Sequence, residues 1–254
     1  MISLDELISK ARLKSMSLGN AEKDYLIALT LFSISKNTKD ELVFKGGTCL
    51  SKFYNLDRFS EDIDFTAVKN IEISSLIDNI ISYLKLFGIE CSLHKKKELF
   101  NSILITLRCK GPLFKGNAQS YANVRIDINM KSSIIMPPNV YEYSSLYSEI
   151  PAFSLLIMQK KEILAEKIRA IMTRDKPRDI YDLWFLLKNN VEIEEKLISE
   201  KMSYSHKEFR TDELIKSLEI QQNKWQSELK PLLRTTPDFN DVVKLIKARI
   251  KPRK

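Results

Sequence analysis

Histidine and cysteine are nearly missing from this 254-residue chain, which has two of the first and three of the second. Cys49, Cys91 and Cys109 show no metal-ligand spacing, so a thiolate metal site finds no support. His94 has no carboxylate, hydroxyl or thiol in an evident constellation with it, and no catalytic duty falls to it. No run approaches 18 uninterrupted apolar residues, which excludes a membrane-spanning helix. No apolar leader opens the chain, and with a small, odd cysteine count this points to a reducing compartment; the expected location is the cytoplasm. Internal repeats and low-complexity blocks are absent as well.

What is present fits a folded, basic protein. The length is near that at which chains split into two domains, and 44% apolar residues allow a proper core. Lys and Arg number 41 against 33 acids, a net charge of +8. If some of those acids hold metal, the remaining surface is more positive still and should attract polyanions.

The most informative stretch is 42–66, LVFKGGTCLSKFYNLDRFSEDIDFT. Asp62 and Asp64 stand two apart, so on a strand they share one side while Ile63 and Phe65 point into a core. Two carboxylates that close repel each other unless a proton or cation lies between them, and a divalent metal is the obvious remedy. Upstream, the apolar Leu42-Val43-Phe44 runs into Lys45-Gly46-Gly47-Thr48 and then a helix-like stretch, Cys49 to Tyr54. Glycines let the backbone approach an anion, and amides at a helix N-terminus favour phosphate. A glycine pair is usually a turn, and an isolated Asp-x-Asp is usually solvated. Their combination, in the order strand, loop, helix, strand, is much more specific.

A second alternating stretch, Asn123 to Asn129, sets Val124, Ile126 and Ile128 on one face and Arg125, Asp127 and Asn129 on the other. Asp127 is either a salt-bridged or edge acid or the third member of a set with Asp62 and Asp64. Elsewhere the pattern predicts a Ser3-capped helix, helices over about 21–35 and 71–86, and strands over 89–95 and 102–108 with Lys95-Lys96-Lys97 at a basic turn. Met136-Pro137-Pro138 breaks regular structure, and the Tyr-rich run to Pro151 reads as a connection. A helix is expected over 155–174, with Leu164, Ile168 and Ile171 buried and Lys160, Lys167 and Arg174 on another face. Pro177 suits the first turn of the next helix, where Arg178 can pair with Asp182. Helices follow over about 193–203, 212–229 and 239–250, with Trp225 as a core anchor. Lys247, Arg249, Lys251, Arg253 and Lys254 make a basic end, either solvated or laid along RNA phosphates.

Phe44 to Thr48 followed by Arg58 to Phe65 resembles the first motif of the AbiEii/AbiGii nucleotidyltransferase toxins of type IV toxin–antitoxin systems, within the DNA polymerase β-like nucleotidyltransferase superfamily. Ala165 to Ala170 and Pro177 to Leu183 resemble the later motifs of the same family. Thr48 stands where the general pattern has Ser, and the hydroxyl is kept. The resemblance implies an α+β fold: a nucleotidyltransferase-like mixed sheet with flanking helices over 1–140, and a mostly helical domain over 150–254 that completes the nucleotide and acceptor site. It matches Asp127 to the family's third acid, Lys167 to a lysine reaching the nucleotide phosphates, and Asp179 or Asp182 to an acid on the following helix. Catalytic roles thus fall to Asp62, Asp64, Asp127, Lys167, Asp179 and Asp182. Nucleotide-binding roles fall to Lys45, Gly46, Gly47, Thr48, Arg58, Ser60, Lys167 and Arg174.

The activity implied is transfer of a nucleoside monophosphate from an NTP to an RNA acceptor, the 3′ end of tRNA, by a toxin with a cognate antitoxin. The cofactor expected at Asp62, Asp64 and Asp127 is magnesium, or manganese, since hard ions prefer oxygen ligands. Two other readings remain: nucleotidylation of a protein or small hydroxylated molecule, and a non-catalytic nucleotide or RNA binding module.

Overall fold

The computed structural model describes residues 1–131 and 133–250, so Lys251, Arg253 and Lys254 of the basic end lie outside the described residues. The chain forms two compact units. The first comprises residues 1–55, 59–134 and 138–157; the second comprises 56–58, 135–137 and 158–254.

The first unit is a seven-stranded mixed sheet with helices. Its strands are β1 (Leu42–Lys45), β2 (Asp62–Ala67), β3 (Glu90–Glu98), β4 (Ser102–Lys110), β5 (Ala122–Asn129), β6 (Asn139–Tyr143) and β7 (Phe153–Ile157), in the spatial order β3-β4-β5-β2-β1-β7-β6. β2 runs parallel to β5, and β1 parallel to β7; the other neighbours are antiparallel. Its helices are α1 (Leu4–Lys14), α2 (Leu18–Asn37), α3 (Gly46–Phe53) and α4 (Ile73–Leu86). Ser3 and Ser17 cap the first two, their hydroxyls accepting amides of Glu6 (3.1 Å) and Asn20 (3.2 Å). α2 is buried around its whole circumference from Tyr25 to Ile34, a run that is apolar except for Thr30 and Ser33. Its buried Thr30 hydroxyl donates back to the Leu26 carbonyl at 2.8 Å, which satisfies that hydroxyl within the helix.

The second unit is helical: α5 (Lys160–Thr173), α6 (Pro177–Lys188), α7 (Glu195–Ser203), α8 (Thr211–Glu219), α9 (Trp225–Leu229) and α10 (Phe239–Ile250). Leu164, Ile168 and Ile171 are buried, as is Trp225, whose indole N–H donates to the Pro237 carbonyl at 2.8 Å.

Four expectations change. The helix expected over 155–174 is strand β7 followed by α5, which starts only after Gln159. The connection before Pro151 contains β6, paired with β7 from Asn139↔Ile157 to Tyr143↔Phe153. Lys95-Lys96-Lys97 is not a turn but the far half of β3, paired with Thr106, Ile105 and Leu104; an edge strand tolerates a charged run because one side of it is solvent. The helix over 212–229 is broken between Glu219 and Trp225.

Candidate active site

Register decides the geometry of the acids. Asp62 pairs with Arg125, Ile63 with Ile126, and Asp64 with Asp127, while Lys45 of β1 stands opposite Asp64. Register partners share a sheet face. Lys45, Asp64 and Asp127 therefore form one row across three strands, with Asp62 and Arg125 in the adjacent row. The opposite face carries Ile63, Phe65, Ile126 and Ile128, all buried. Phe65 packs on Phe44 with ring centroids 5.0 Å apart. This apolar layer fixes the register, because a one-residue slip would exchange core and acid faces. The three acids are half-buried, within reach of solvent and of a ligand.

The glycine turn meets the acids directly. Gly46 has φ +76°, and a Cβ there would stand 2.2 Å from Asp64 Oδ2. Glycine is required on both counts: the left-handed backbone and the space beside the carboxylate. α3 begins at this residue, and the Lys45 side chain makes no cap to it. Its first-turn amides point out of the helix N-terminus beside the acid row, a setting that favours anions.

Thr48 behaves differently from expectation. It is fully buried, its hydroxyl donates to the Asp62 carbonyl, and it lies 2.9 Å from Ser60 Oγ. The hydroxyl ties α3 to the start of β2, and Ser60 belongs to the same tie. Cys49 is buried as well, and burial, with the Asp64 charge adding to it, pushes its thiol well above the ordinary range. It stays protonated and acts as packing.

Around Asp62 the sheet face opens into a cleft of about 160 Å³ lined by Lys23, Glu61, Asp62, Tyr121, Asn123 and Arg125, among others. The Arg125 guanidinium lies 3.7 Å from Asp62 and 3.8 Å from Glu61. Sequence reasoning placed Arg125 on the face of Asp127 but gave it no role; the alternation that singled out Asp127 carries the same signal for Arg125.

Among the described residues no three His, Cys, Asp or Glu side chains close on one point as a ready-made metal cage. The donor set nevertheless suits a hard divalent cation. It is all carboxylate, it lies on one face, and Gly46 leaves room at Asp64. Magnesium in particular takes one or two carboxylates and completes its shell with water and substrate phosphates.

The family model described as "Nucleotidyl transferase AbiEii toxin, Type IV TA system" matches residues 30–245. The chain belongs to the AbiEii family. It is a nucleotidyltransferase toxin of a type IV system, and membership implies an NTP substrate, a cognate antitoxin and usually a divalent metal. The fold agrees. MenT4, a nucleotidyltransferase toxin from Mycobacterium tuberculosis, superposes with a TM-score of 0.71 at 16% identity, covering 99% of this chain and 89% of that one. JHP933 from Helicobacter pylori gives a TM-score of 0.61 at 21% identity, covering 92% and 91%. No curated protein matches the chain by sequence.

The remaining residues matched to AbiEii motifs gather in the second unit, on each other. Arg58 grips Asp182 through two parallel bonds, Nε to Oδ1 at 2.6 Å and a terminal nitrogen to Oδ2 at 2.7 Å. Lys167 Nζ lies 2.9 Å from Asp179 and 2.7 Å from Asp182. Arg174 takes Asp179 from the other side, at 2.8 and 3.0 Å. Both acids are fully buried, Arg58 and Lys167 nearly so, while the Arg174 side chain is half exposed. Burial alone would raise the two carboxylates, but Lys167 and Arg174 on Asp179, and Arg58 and Lys167 on Asp182, outweigh it and hold both below the usual range. Burial likewise works against the Lys167 cation, and the two acids more than offset it. Lys167 is thus not on a solvated basic stripe, and Arg58, expected on a phosphate, is committed to Asp182.

A related cluster escaped the sequence. Lys201, buried in α7, lies 2.6 Å from Glu162 and 3.3 Å from Glu166. Glu162 also accepts the amides of Ile135 and Met136, each at 2.9 Å. Its one advance signal was that Glu162 and Glu166 share a face of α5 at i,i+4 spacing.

Proposed function

We propose that this toxin moves a nucleoside monophosphate from an NTP to the 3′-terminal hydroxyl of an RNA, with tRNA as the acceptor, in the cytoplasm. The acceptor oxygen forms a bond to the α-phosphorus, the bond to the β-phosphate oxygen breaks, and pyrophosphate leaves. One observation supports this above the others: Asp64 and Asp127 are register partners on adjacent parallel strands, with Asp62 two residues away on the same face.

Asp62, Asp64 and Asp127 would hold magnesium or manganese. When bound, such an ion acidifies an attacking hydroxyl and neutralises charge on a departing pyrophosphate. Gly46 and Gly47 bring backbone amides to the phosphates, and Lys45, in the same row as Asp64, adds positive charge there. Asp127 accepts the proton released by the acceptor hydroxyl. Beyond this the protein has only to hold donor and acceptor in line.

The test is to incubate the purified protein with magnesium, each α-labelled NTP in turn, and total RNA. Label in an RNA band with at least one nucleotide supports the reading, and recovery in the tRNA fraction identifies the acceptor. Label only in protein or in a small molecule would refute the RNA acceptor, and no transfer at all would refute the whole proposal.

A further inference from the structure

The sheet face that carries the acids continues past them. Register extends the row of Asp62 and Arg125 to Thr106 on β4 and Lys95 on β3. The row of Asp64 and Asp127 extends to Leu104 and Lys97, and a third row holds Asn123, Arg108 and Ser92. The two faces of β3, β4 and β5 differ sharply. Ile105, Leu107, Val124 and Ile126 are buried on one. On the other, Lys95 and Lys97 are exposed and the Arg125 side chain is 61% exposed.

Of the four cations here, only Arg125 is paired with carboxylates, loosely, at 3.7 Å from Asp62 and 3.8 Å from Glu61. Among the described residues, no ion pair involves Lys95, Lys97 or Arg108. Arg108 sits over the Tyr121 ring at 5.3 Å and touches His94 at 3.3 Å, while its buried Nε has no hydrogen-bond partner. Lysines on an edge strand do discourage edge-to-edge pairing. That reason does not extend to Arg108 and Arg125, which stand on interior strands. Positive charge spread over four strand positions, on the face that bears the acid row, attracts a polyanionic strand. From β3 to β2 is three inter-strand steps of about 4.8 Å, roughly 14 Å in all, room for the last few nucleotides of a chain.

We infer that the open β3–β4–β5 face holds the single-stranded end of the RNA acceptor, with backbone phosphates on Lys95, Lys97, Arg108 and Arg125, and leads its 3′ hydroxyl to Asp127. The inference rests on the RNA acceptor proposed above and gives it a location.

The test compares wild type with the double variant Lys95→Glu/Lys97→Glu and, separately, Arg108→Gln. Lys196→Glu, at an exposed lysine of α7, serves as control. Label transfer is measured against RNA concentration, NTP affinity is measured without RNA, and RNA affinity is measured at several salt concentrations. The double variant should raise the KM for RNA at least tenfold, leave kcat at saturating RNA within twofold, and leave NTP affinity and melting temperature unchanged. Its log affinity should fall less steeply with log salt, by about 0.7 for each phosphate that the variant no longer neutralises. Arg108→Gln should move the same quantities in the same direction, and the control should move none. A double variant with wild-type RNA KM and salt slope, in a protein that does label RNA, overturns the inference, and retained RNA binding with lost affinity for an acidic protein would assign the face to that partner instead. If wild type itself neither binds nor labels RNA, the proposed function fails and this inference with it.

Discussion

Among the described residues, the Asp and cation cluster on the sheet and the one among the helices are built on opposite principles. On the sheet of the first unit, Asp62 keeps a side chain 30% exposed, with the Arg125 guanidinium at 3.7 Å. In the second unit, Asp179 and Asp182 are 0% exposed and each is held by two cations at or below 3.0 Å. A carboxylate stripped of water and gripped from two sides is already neutralised, and removing one partner leaves a bare buried charge. Carboxylates aligned on a half-exposed sheet face lie where an incoming cation can reach them. Residue type alone did not separate these two cases, since all five are Asp with basic neighbours in sequence or space. Burial and partner geometry did.

The sharpest way to break the comparison is to neutralise one acid in each cluster. Asp64→Asn should cut nucleotidyl transfer by about a thousandfold or more, roughly 4 kcal/mol of transition-state stabilisation, while thermal unfolding shifts by only a degree or two. Asp182→Asn should do the reverse to the fold, leaving Arg58 and Lys167 short of a counter-charge and costing about 3–5 kcal/mol. Calorimetry of the two variants side by side checks this. Equal loss of stability in both would erase the distinction.

Acid titration sharpens it further. Asp179 and Asp182 have folded pKa values below their unfolded ones. Their contribution is therefore complete above the unfolded carboxylate value of about 3.9 and is lost as pH falls through the folded value. Helical circular dichroism followed downward from pH 6 should hold to about pH 4 and then fall, whereas a protein carrying Asp179→Asn should start less stable and lose less over the same range.

Gly46→Ala is expected to have a smaller effect on stability, about 1–2 kcal/mol for left-handed backbone, together with loss of activity because the new methyl must displace Asp64. Restored activity in Gly46→Ala without movement of Asp64 in a crystal structure would contradict the close approach. Smallest is Thr48→Val. It removes one buried hydroxyl bonded to the Asp62 carbonyl, costing about 1 kcal/mol, and should leave the KM for NTP near wild type. A large rise in that KM would show the hydroxyl working on phosphate after all.

The shared face of the candidate site's acids was legible because strand periodicity is short-range information. Asp62-Ile63-Asp64-Phe65 and Val124 to Asn129 each state which side chains share a face, and the apolar halves pin the register. The mixed sheet with flanking helices came from the resemblance to the AbiEii toxins, not from periodicity, and the fold agrees with it. Apart from Arg125 and the Glu162–Glu166 pair, what was missed had no local signal. Phe153 to Met158 is apolar enough for either period, and no Gly or Pro marks the change from β7 to α5, so strand and helix merged in the reading. Three consecutive lysines look like a turn until a partner strand is known. The break between α8 and α9 likewise lacks a Gly or Pro. Arg58 and Asp182 are separated by 124 residues, and nothing in either neighbourhood says that they meet. The inward turn of Thr48 depends on where β2 begins relative to α3, a tertiary fact.

The account depends most on Asp62, Asp64 and Asp127 acting together as one divalent-metal site. Electron paramagnetic resonance of Mn²⁺, titrated into the protein with a non-hydrolysable NTP, reads that property without any turnover. Wild type should bind the ion, and Asp127→Asn, with its fold intact by circular dichroism, should bind it at least tenfold more weakly. Equal Mn²⁺ affinity in the two proteins would contradict it.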